Sequence, residues 1–196
     1  MNFLGHLYFS DNNIDLMYAN LYGDFVKGKD LTDHSELVQK GIHLHRTIDS
    51  YIDHHPIVLN LLHKLYPLLP KVSGIAVDIY FDHLLARNWD KYHSENREVF
   101  IDRFYNYEVD RNYGSEKFWF VIDRMKLGQW LHKYKSMEGL TKACEGLSNR
   151  ISFPNVLDQA PRVFVENEAI ITEAFNLFMI EAQDYFEDYY NKNIRN

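Results

Sequence analysis

The sequence predicts an all-α fold, a single-domain helical bundle, on the basis of three observations. Apolar residues recur at helical spacings along most of the chain, as at Ile14, Met17, Tyr18 and Leu21. The 196 residues include only five prolines and nine glycines, few of the turn-forming residues that a β-rich fold needs. No internal repeat and no Gly- or Ser-rich linker divides the sequence, so we expect one domain over residues 1–196.

Apolar spacing, a capping box and Pro56 predict the first three helices. The first runs from Ile14 to about Phe25. The stretch 33–36, Asp-His-Ser-Glu, has the form of a capping box and predicts the start of a second helix. This helix should end at His55, because a proline disfavours helical geometry in the residue before it. Pro56 itself suits the first position of the third helix.

Five further helices are predicted, which gives about eight in total. Their apolar spacing is helical throughout, and Ser94 is a candidate cap for one of them. They cover residues 72–89, 95–107, 116–134, 137–150 and a long C-terminal stretch from Pro161 to about Tyr190.

Composition excludes several classes of protein. Hydrophobic residues make up 46% and charged residues 25%, an ordinary globular balance. The net charge of −7 argues against a general nucleic-acid binder, since phosphate contacts need clustered Lys and Arg. No apolar run approaches the roughly 18 residues of a membrane span, and the N-terminus lacks the features of a signal peptide. The only cysteine, Cys144, fits a reducing cytoplasm. We therefore expect a cytoplasmic protein without nucleic-acid or membrane partners; the oligomeric state stays open.

The stretch GIHLHRTIDSYIDHHP, residues 41–56, concentrates metal-binding side chains. Four of the ten histidines lie in it. Positions four apart share one face of a helix, so His45, Asp49 and Asp53 form one stripe, with Arg46 beside it. One imidazole and two carboxylates suit manganese, iron or magnesium better than structural zinc. The alternative is a solvated face with ion pairs between successive turns.

A second candidate region is AVDIYFDHLLARNW, residues 76–89. Asp78 and Asp82 are again four apart, and His83 follows directly in an otherwise apolar helix. A buried carboxylate needs a partner, so we expect these acids to face a cation or hydrogen-bond donors. The alternative is that they act as caps or pair with Arg87 and Lys91.

Two weaker candidates lie near the N-terminus. Asp24 stands between Gly23 and Gly28, where an ordinary helix end with a glycine stop is the alternative. His6 in NFLGHLYF is a lone imidazole among apolar residues. A lone histidine of this kind is more often a core residue than a metal ligand. Together, the candidates put Asp and His at helical spacing on several separate helices.

Four pieces of the sequence, MNFLGHLYFS, ANLYGDFVKG, GIHLHRTIDSYIDHHP and VDIYFDHLLARNW, resemble the bacterial acyl carrier protein phosphodiesterases in order and spacing. That family looks like a variant of the HD-type phosphohydrolase fold, and the resemblance covers the first 90 residues. It implies removal of 4′-phosphopantetheine from holo acyl carrier protein, giving the apo form. It also implies a divalent metal, manganese in the first place and Fe²⁺ or Mg²⁺ otherwise. The departures, at Gly5, Ala19, Gly23 and Ile52, are small and bear on substrate preference.

The resemblance and the placement of the residues together give a candidate site. The expected catalytic residues are Asp24, His45, Arg46, Asp49 and His83. The expected metal ligands are His6, Asp24, Asp49, Asp53, Asp78, Asp82 and His83. Because the order Asp82–His83 is the reverse of an HD dipeptide, the ligand rules of HD proteins are not transferred.

The expected mechanism is hydrolysis by an activated water. The metal lowers the pKa of a bound water from 15.7 toward about 7. The resulting hydroxide attacks phosphorus in line, and the serine oxygen of the carrier protein leaves. Arg46 either neutralises the phosphate oxygens or forms a salt bridge with Asp49 or Asp53. His83 or His45 is the candidate proton donor.

An acidic carrier protein needs a basic docking surface. The stretch 124–135 has no acidic residue and is the predicted surface for electrostatic steering. Its cations are Arg124 and the substrate-binding candidates Lys126, Lys133 and Lys135, interleaved with Trp130 and Tyr134. The alternative is a solvated helix face with Trp130 in the core.

Two other functions stay open from the sequence. The first keeps the metal site but acts on a small phosphoester or a nucleotide, as HD-type folds do. The second is a non-enzymatic helical interaction protein with surface His and Asp residues; the apolar setting of Asp78 and Asp82 argues against it.

Overall fold

The computed structural model describes residues 1–195, which form eleven α-helices, two 3-10 helices and no β-strand. The prediction of an all-α fold is confirmed. The 3-10 helices are Gly23–Phe25 and Leu157–Gln159. The α-helices are α1 (Phe3–Tyr8), α2 (Ile14–Tyr22), α3 (Glu36–His54), α4 (Pro56–Leu65), α5 (Ser73–Arg87), α6 (Trp89–Tyr92), α7 (Arg97–Asn106), α8 (Glu116–Gly128), α9 (Trp130–Lys133), α10 (Met137–Ser148) and α11 (Ala160–Asn193).

The capping residues explain where the main helices begin. Ser35 caps α3, and its hydroxyl accepts a hydrogen bond from the Val38 N–H. Pro56 occupies the first position of α4, as predicted. The long helix α11 extends to Asn193 and has a kink at Asn167, where φ is −123° and ψ is 16°. No helix in residues 1–195 is both long and apolar enough to cross a membrane.

The structure contains more helices than predicted because two predicted helices are interrupted. Gln129 adopts a left-handed conformation, with φ of 53°, and divides α8 from α9. Asn88, with φ of −112° and ψ of 22°, divides α5 from α6. The short helix α1 was not predicted. The prediction that Ser94 caps a helix is wrong, because the Asn96 side chain caps α7 instead.

Helix α5 lies at the centre of the core. Almost every residue from Ala76 to Ala86 is buried, and α5 packs against α1, α4, α10 and α11. Phe81 contacts the rings of Phe175 and Phe178 on α11. Asp82 and His83 of α5 therefore lie inside the bundle, whereas the Asp78 side chain is partly exposed.

Helices α2 and α3 cross at very short range. A Cβ on Gly41 would lie only 2.3 Å from the Cβ of Ala19. Asn20 directly follows Ala19, and His45 is one helical turn beyond Gly41. The two small residues thus bring the side chains of Asn20 and His45 together.

Candidate metal centre

Three side chains from α1 and α3 converge on one point. His6 Nε2 lies 3.2 Å from Asp49 Oδ1, and His45 Nε2 lies 3.2 Å from Asp49 Oδ2. The two imidazole rings stack, with their centroids 4.2 Å apart. Both histidines are buried, whereas the Asp49 side chain is 47% exposed. The cluster is therefore closed on the histidine side and open to solvent at Asp49.

Asn20 orients both imidazoles. Its Oδ1 lies 2.9 Å from His6 Nδ1 and 3.3 Å from His45 Nδ1. Its Nδ2 donates hydrogen bonds to the His6 carbonyl and to Ser10 Oγ, so the direction of the amide is determined. Oδ1 can only accept, and both rings therefore donate from Nδ1. In a neutral imidazole the lone pair is then on Nε2, which faces Asp49.

The charges of the cluster favour a cation at this point. Burial lowers the pKa of His6, which keeps its ring neutral. Burial would raise the pKa of Asp49, but the neighbouring imidazoles of His45 and His6 outweigh it and lower the pKa well below its usual value. The Nε2 atoms of both imidazoles thus face an ionised carboxylate. The ligand atoms lie within 4.8 Å of one another, and two imidazoles with one carboxylate are a donor set for iron and related transition metals.

Gly23 allows His45 to occupy its position. A Cβ on Gly23 would lie 2.4 Å from the Cβ of His45. The next residue, Asp24, is exposed and is not a member of the His6–His45–Asp49 cluster. Its predicted roles in metal binding and catalysis stay predictions.

The structure places Asp82 and Asp78 beside the cluster, at the start of α1. Asp82 Oδ1 accepts hydrogen bonds from the Asn2 and Gly5 N–H groups, at 3.1 and 3.0 Å, and its Oδ2 accepts one from Leu4 at 2.8 Å. Burial raises the pKa of Asp82 to about 7, although the nearby N-terminal amine and these backbone groups oppose the shift. Asp78 Oδ1 lies 2.8 Å from the amine of Met1.

These contacts differ from the metal-ligand roles that the sequence predicts for both acids. The carboxylates on α5 bind N–H groups of the first residues instead of joining the cluster. The expectation that they face hydrogen-bond donors fits the structure. Asp82 holds α1 in place, and α1 carries His6.

His83 points away from the cluster. Its Nδ1 donates to the Tyr134 carbonyl at 2.6 Å, and its ring packs edge-on against Phe164. Its Nε2 is buried without a hydrogen-bond partner in residues 1–195. Its roles as metal ligand and proton donor stay predictions; the ring contacts Tyr134 and Phe164 and is not a member of the His6–His45–Asp49 cluster.

Arg46 and Asp53 lie at the edge of the cluster. Arg46 Nη2 donates to the carbonyls of Val26 and Gly28, at 3.3 and 2.7 Å, and so holds the loop after the first 3-10 helix. The structure has no salt bridge from Arg46 to Asp49 or Asp53. Burial and the nearby negative charges of Asp78 and Asp49 raise the pKa of Asp53, which is exposed and does not belong to the cluster.

Asn20 and Ser10 are the residues that the sequence analysis missed. Asn20 lies on the apolar face of α2, four residues after Leu16 and three after Met17. An asparagine on such a face is the signal that the sequence offers, and the structure shows it to be fully buried. It indicates a polar side chain with an obligatory partner inside the core.

The predicted docking cations are engaged within the chain. Lys126 lies over the Tyr18 ring at 5.3 Å, and burial lowers its pKa. Lys133 Nζ donates to the Gly128 carbonyl at 2.7 Å, and Lys135 pairs with Glu98 at 3.4 Å. Tyr134 is buried. Their substrate-binding role stays a prediction, and the three lysines do not offer one common free face.

The fold and the cluster define an all-α protein with a candidate His₂Asp metal centre. The family model for acyl carrier protein phosphodiesterase matches residues 1–182. A protein of Photorhabdus laumondii with that name is 31% identical over 152 residues, 76% of this chain and 77% of the relative. One of Salmonella agona is 28% identical over 155 residues, 76% and 79% of the two chains. No solved structure matches.

The chain belongs to the acyl carrier protein phosphodiesterase family. The resemblance stated from four sequence motifs is thereby confirmed, and so is the prediction that the chain is an enzyme of this family. The likeness to HD-type proteins stays a prediction.

Proposed function

We propose that this protein hydrolyses the phosphodiester that links 4′-phosphopantetheine to the serine of an acyl carrier protein. The observation that carries the proposal is the convergence of His6, His45 and Asp49, with both Nε2 atoms turned toward one carboxylate. The names of the relatives support the choice of substrate.

His6 and His45, through Nε2, and Asp49 are the proposed ligands of a divalent cation. With two imidazoles the donor set is richer in nitrogen than the sequence predicts, so Mn²⁺ or Fe²⁺ suits it better than Mg²⁺. The chemistry that such an ion supplies is a water whose pKa falls from 15.7 toward about 7. Asn20 keeps both rings in the tautomer that ligation requires.

In the proposed reaction, the oxygen of water forms a new bond to phosphorus as the bond to the serine oxygen breaks. The serine oxygen leaves with a proton, which gives apo carrier protein and free 4′-phosphopantetheine. Asp49 is the exposed member of the cluster, so the phosphate approaches from its side of α3.

A groove of about 540 Å³ on α3 is the proposed place for the phosphopantetheine arm. Its walls are polar and aromatic and include Arg46, Ser50, Tyr51 and His54. Arg46 lines the groove and precedes Asp49 by three residues on α3. Hydroxyl, imidazole and guanidinium groups there suit the amides and the phosphate of the arm.

The exposed face of α8 is the proposed docking surface for the carrier protein. Lys117, Phe120, Arg124 and Leu127 are spaced three, four and three apart and share one face. Phe120 is 65% and Leu127 is 80% exposed, and neither cation has an acidic partner within residues 1–195. Alternating cations and apolar side chains suit an acidic amphipathic helix, which also fits the proposed steering.

The experiment for the activity is incubation of the purified protein and Mn²⁺ with holo carrier protein, followed by mass spectrometry of the carrier. Loss of the phosphopantetheine arm is expected. Asp49→Asn and His45→Ala should lower the rate roughly a hundredfold or more, whereas Glu36→Gln, at the exposed start of α3, should not. An inactive metal-loaded wild type, or full activity of Asp49→Asn, contradicts the proposal.

The docking surface is tested by a charge reversal at Lys117 and Arg124 to Glu. The expected result is a higher KM for carrier protein at unchanged kcat, and a weaker dependence on salt. Lys29→Glu with Lys64→Glu makes the same change of charge at exposed positions elsewhere and should leave KM unchanged. Equal KM values in the two double variants would place docking on another surface.

A further inference from the structure

A second cavity, of about 250 Å³, lies apart from the groove on α3. It is formed where the start of α1 meets the α8–α9 junction and α10. Its apolar walls come from Phe3, Trp130, Ala143 and Leu147, and the rings of Phe3 and Trp130 are 6.2 Å apart. The reaction proposed above does not use this cavity.

Two glycines of α10 shape the cavity. A Cβ on Gly139 would lie 2.0 Å from the Lys133 carbonyl oxygen, so this glycine lets α10 approach the end of α9. Gly146 has the opposite surroundings, because a Cβ there would meet no atom within 4 Å. Gly146 lines the cavity, and its missing side chain leaves the adjacent space open.

The volume of the cavity fits an aliphatic chain. An apolar cavity of about 150 Å³ is large enough for benzene, and this one is larger by about 100 Å³. It therefore has room for several methylene groups. The hydrophobic gain from taking such a chain out of water is the driving force for binding.

The rim of the cavity is cationic. Lys133, Lys142 and Arg150 line it, and no carboxylate does. Lys142 is paired with Glu138, whereas the Arg150 guanidinium makes no hydrogen bond or ion pair with the described residues. This protein has a net charge of −7. A site that has an unpaired guanidinium and no acidic residue is therefore selective for anions.

We infer that this cavity binds a medium-chain aliphatic carboxylate. The chain lies between Phe3, Trp130 and Leu147, and the carboxylate faces Arg150 and Lys133. The guanidinium fork of Arg150 matches a carboxylate bidentately. This site is independent of the proposed hydrolysis and needs neither the metal nor the carrier protein.

The test is calorimetric titration of the whole protein with decanoate, and with decanol as the uncharged counterpart. Wild type should bind decanoate more tightly than decanol. Gly146→Leu should weaken decanoate binding by roughly tenfold or more, because its side chain fills the cavity. Arg150→Gln should weaken decanoate binding roughly threefold and leave decanol binding unchanged.

Gly74→Leu is the matched control. Gly74 also lies in a helix, has no atom within 4 Å of a built Cβ, and is outside the cavity. Both substitutions replace glycine by a better helix former, so neither should lower the unfolding temperature. Absence of decanoate binding to wild type, or equal binding by wild type and Gly146→Leu, overturns the inference. The readout is binding without carrier protein, so a failure here differs from a failure of the phosphodiesterase assay.

Discussion

The Asn20 Oδ1 atom lies 2.9 Å from His6 Nδ1, and the same oxygen lies 3.3 Å from His45 Nδ1. One buried amide thus determines the orientation of two histidines from different helices. Its Nδ2 is held by the His6 carbonyl and Ser10 Oγ, so Asn20 cannot turn without losing four contacts. Asn20 is a positioning residue for the cluster.

Replacement of Asn20 by Leu should weaken metal binding. Without the acceptor, His6 and His45 lose the contact that fixes their tautomer, and such losses typically cost 10- to 100-fold in metal affinity. Calorimetric titration with Mn²⁺ measures the effect. Asn60→Leu, at an exposed position of α4, is the control and should bind Mn²⁺ as wild type does. Unchanged Mn²⁺ affinity in Asn20→Leu would remove the positioning role.

Gly41→Ala should destabilise the protein although alanine is the better helix former. The new Cβ would lie 2.3 Å from the Cβ and 2.5 Å from the carbonyl carbon of Ala19. Overpacking of this kind costs about 1–3 kcal/mol. Gly74→Ala meets no such contact and should leave the free energy of unfolding equal or raise it by up to about 1 kcal/mol. Denaturant unfolding compares the two; equal stability would contradict the tight crossing of α2 and α3.

Asp82→Ala should lower the free energy of unfolding by about 3 kcal/mol or more. It removes the acceptor of three backbone N–H groups, two of them buried, at about 1–3 kcal/mol each. Asp90→Ala, an exposed acid, is the control. A metal-ligand role for Asp82 predicts the opposite pattern, with lost Mn²⁺ binding and unchanged stability. Denaturant unfolding together with Mn²⁺ titration therefore separates the two roles.

The pairing of Glu98 with His132 and Arg97 should make stability depend on pH. Burial would raise the pKa of Glu98, but hydrogen bonds from His132 and Arg97 outweigh it and lower the pKa below its usual 4.5. The unfolded chain thus binds the proton more readily, and the stabilisation is complete above pH 4.5 and lost as pH falls through the lower, folded pKa.

The unfolding temperature of Glu98→Gln should therefore lie below that of wild type at pH 7. This difference in unfolding temperature should become smaller as the pH is lowered from 4.5. Glu116→Gln, at the exposed start of α8, should unfold at the same temperature as wild type both at pH 7 and below pH 4.5. A gap that stays constant down to the acid limit of folding would indicate that Glu98 stabilises the protein through contacts other than its charge.

The sequence predicts the parts of the fold and site that depend on local spacing. Apolar periodicity predicts the helices, and the four-residue step from His45 to Asp49 predicts that they share a face. The contact of His6 with Asp49 joins residues 43 positions apart, and no local pattern encodes it. The acceptor role of Asp82 is equally hidden, because its partners are backbone groups. Gln129 does not predict a helix end, because the left-handed backbone conformation after a helix is typical of glycine or asparagine.

Helix α1 has only six residues, far fewer than an isolated helix needs to persist in water. Its stability depends on Asp82, which lies 77 to 80 positions further along the chain. During synthesis, His6 therefore cannot be held opposite Asp49 until the ribosome has released Asp82. A shorter nascent chain carries all three members of the cluster but lacks the contacts that hold α1, which ties assembly of the cluster to the completion of α5.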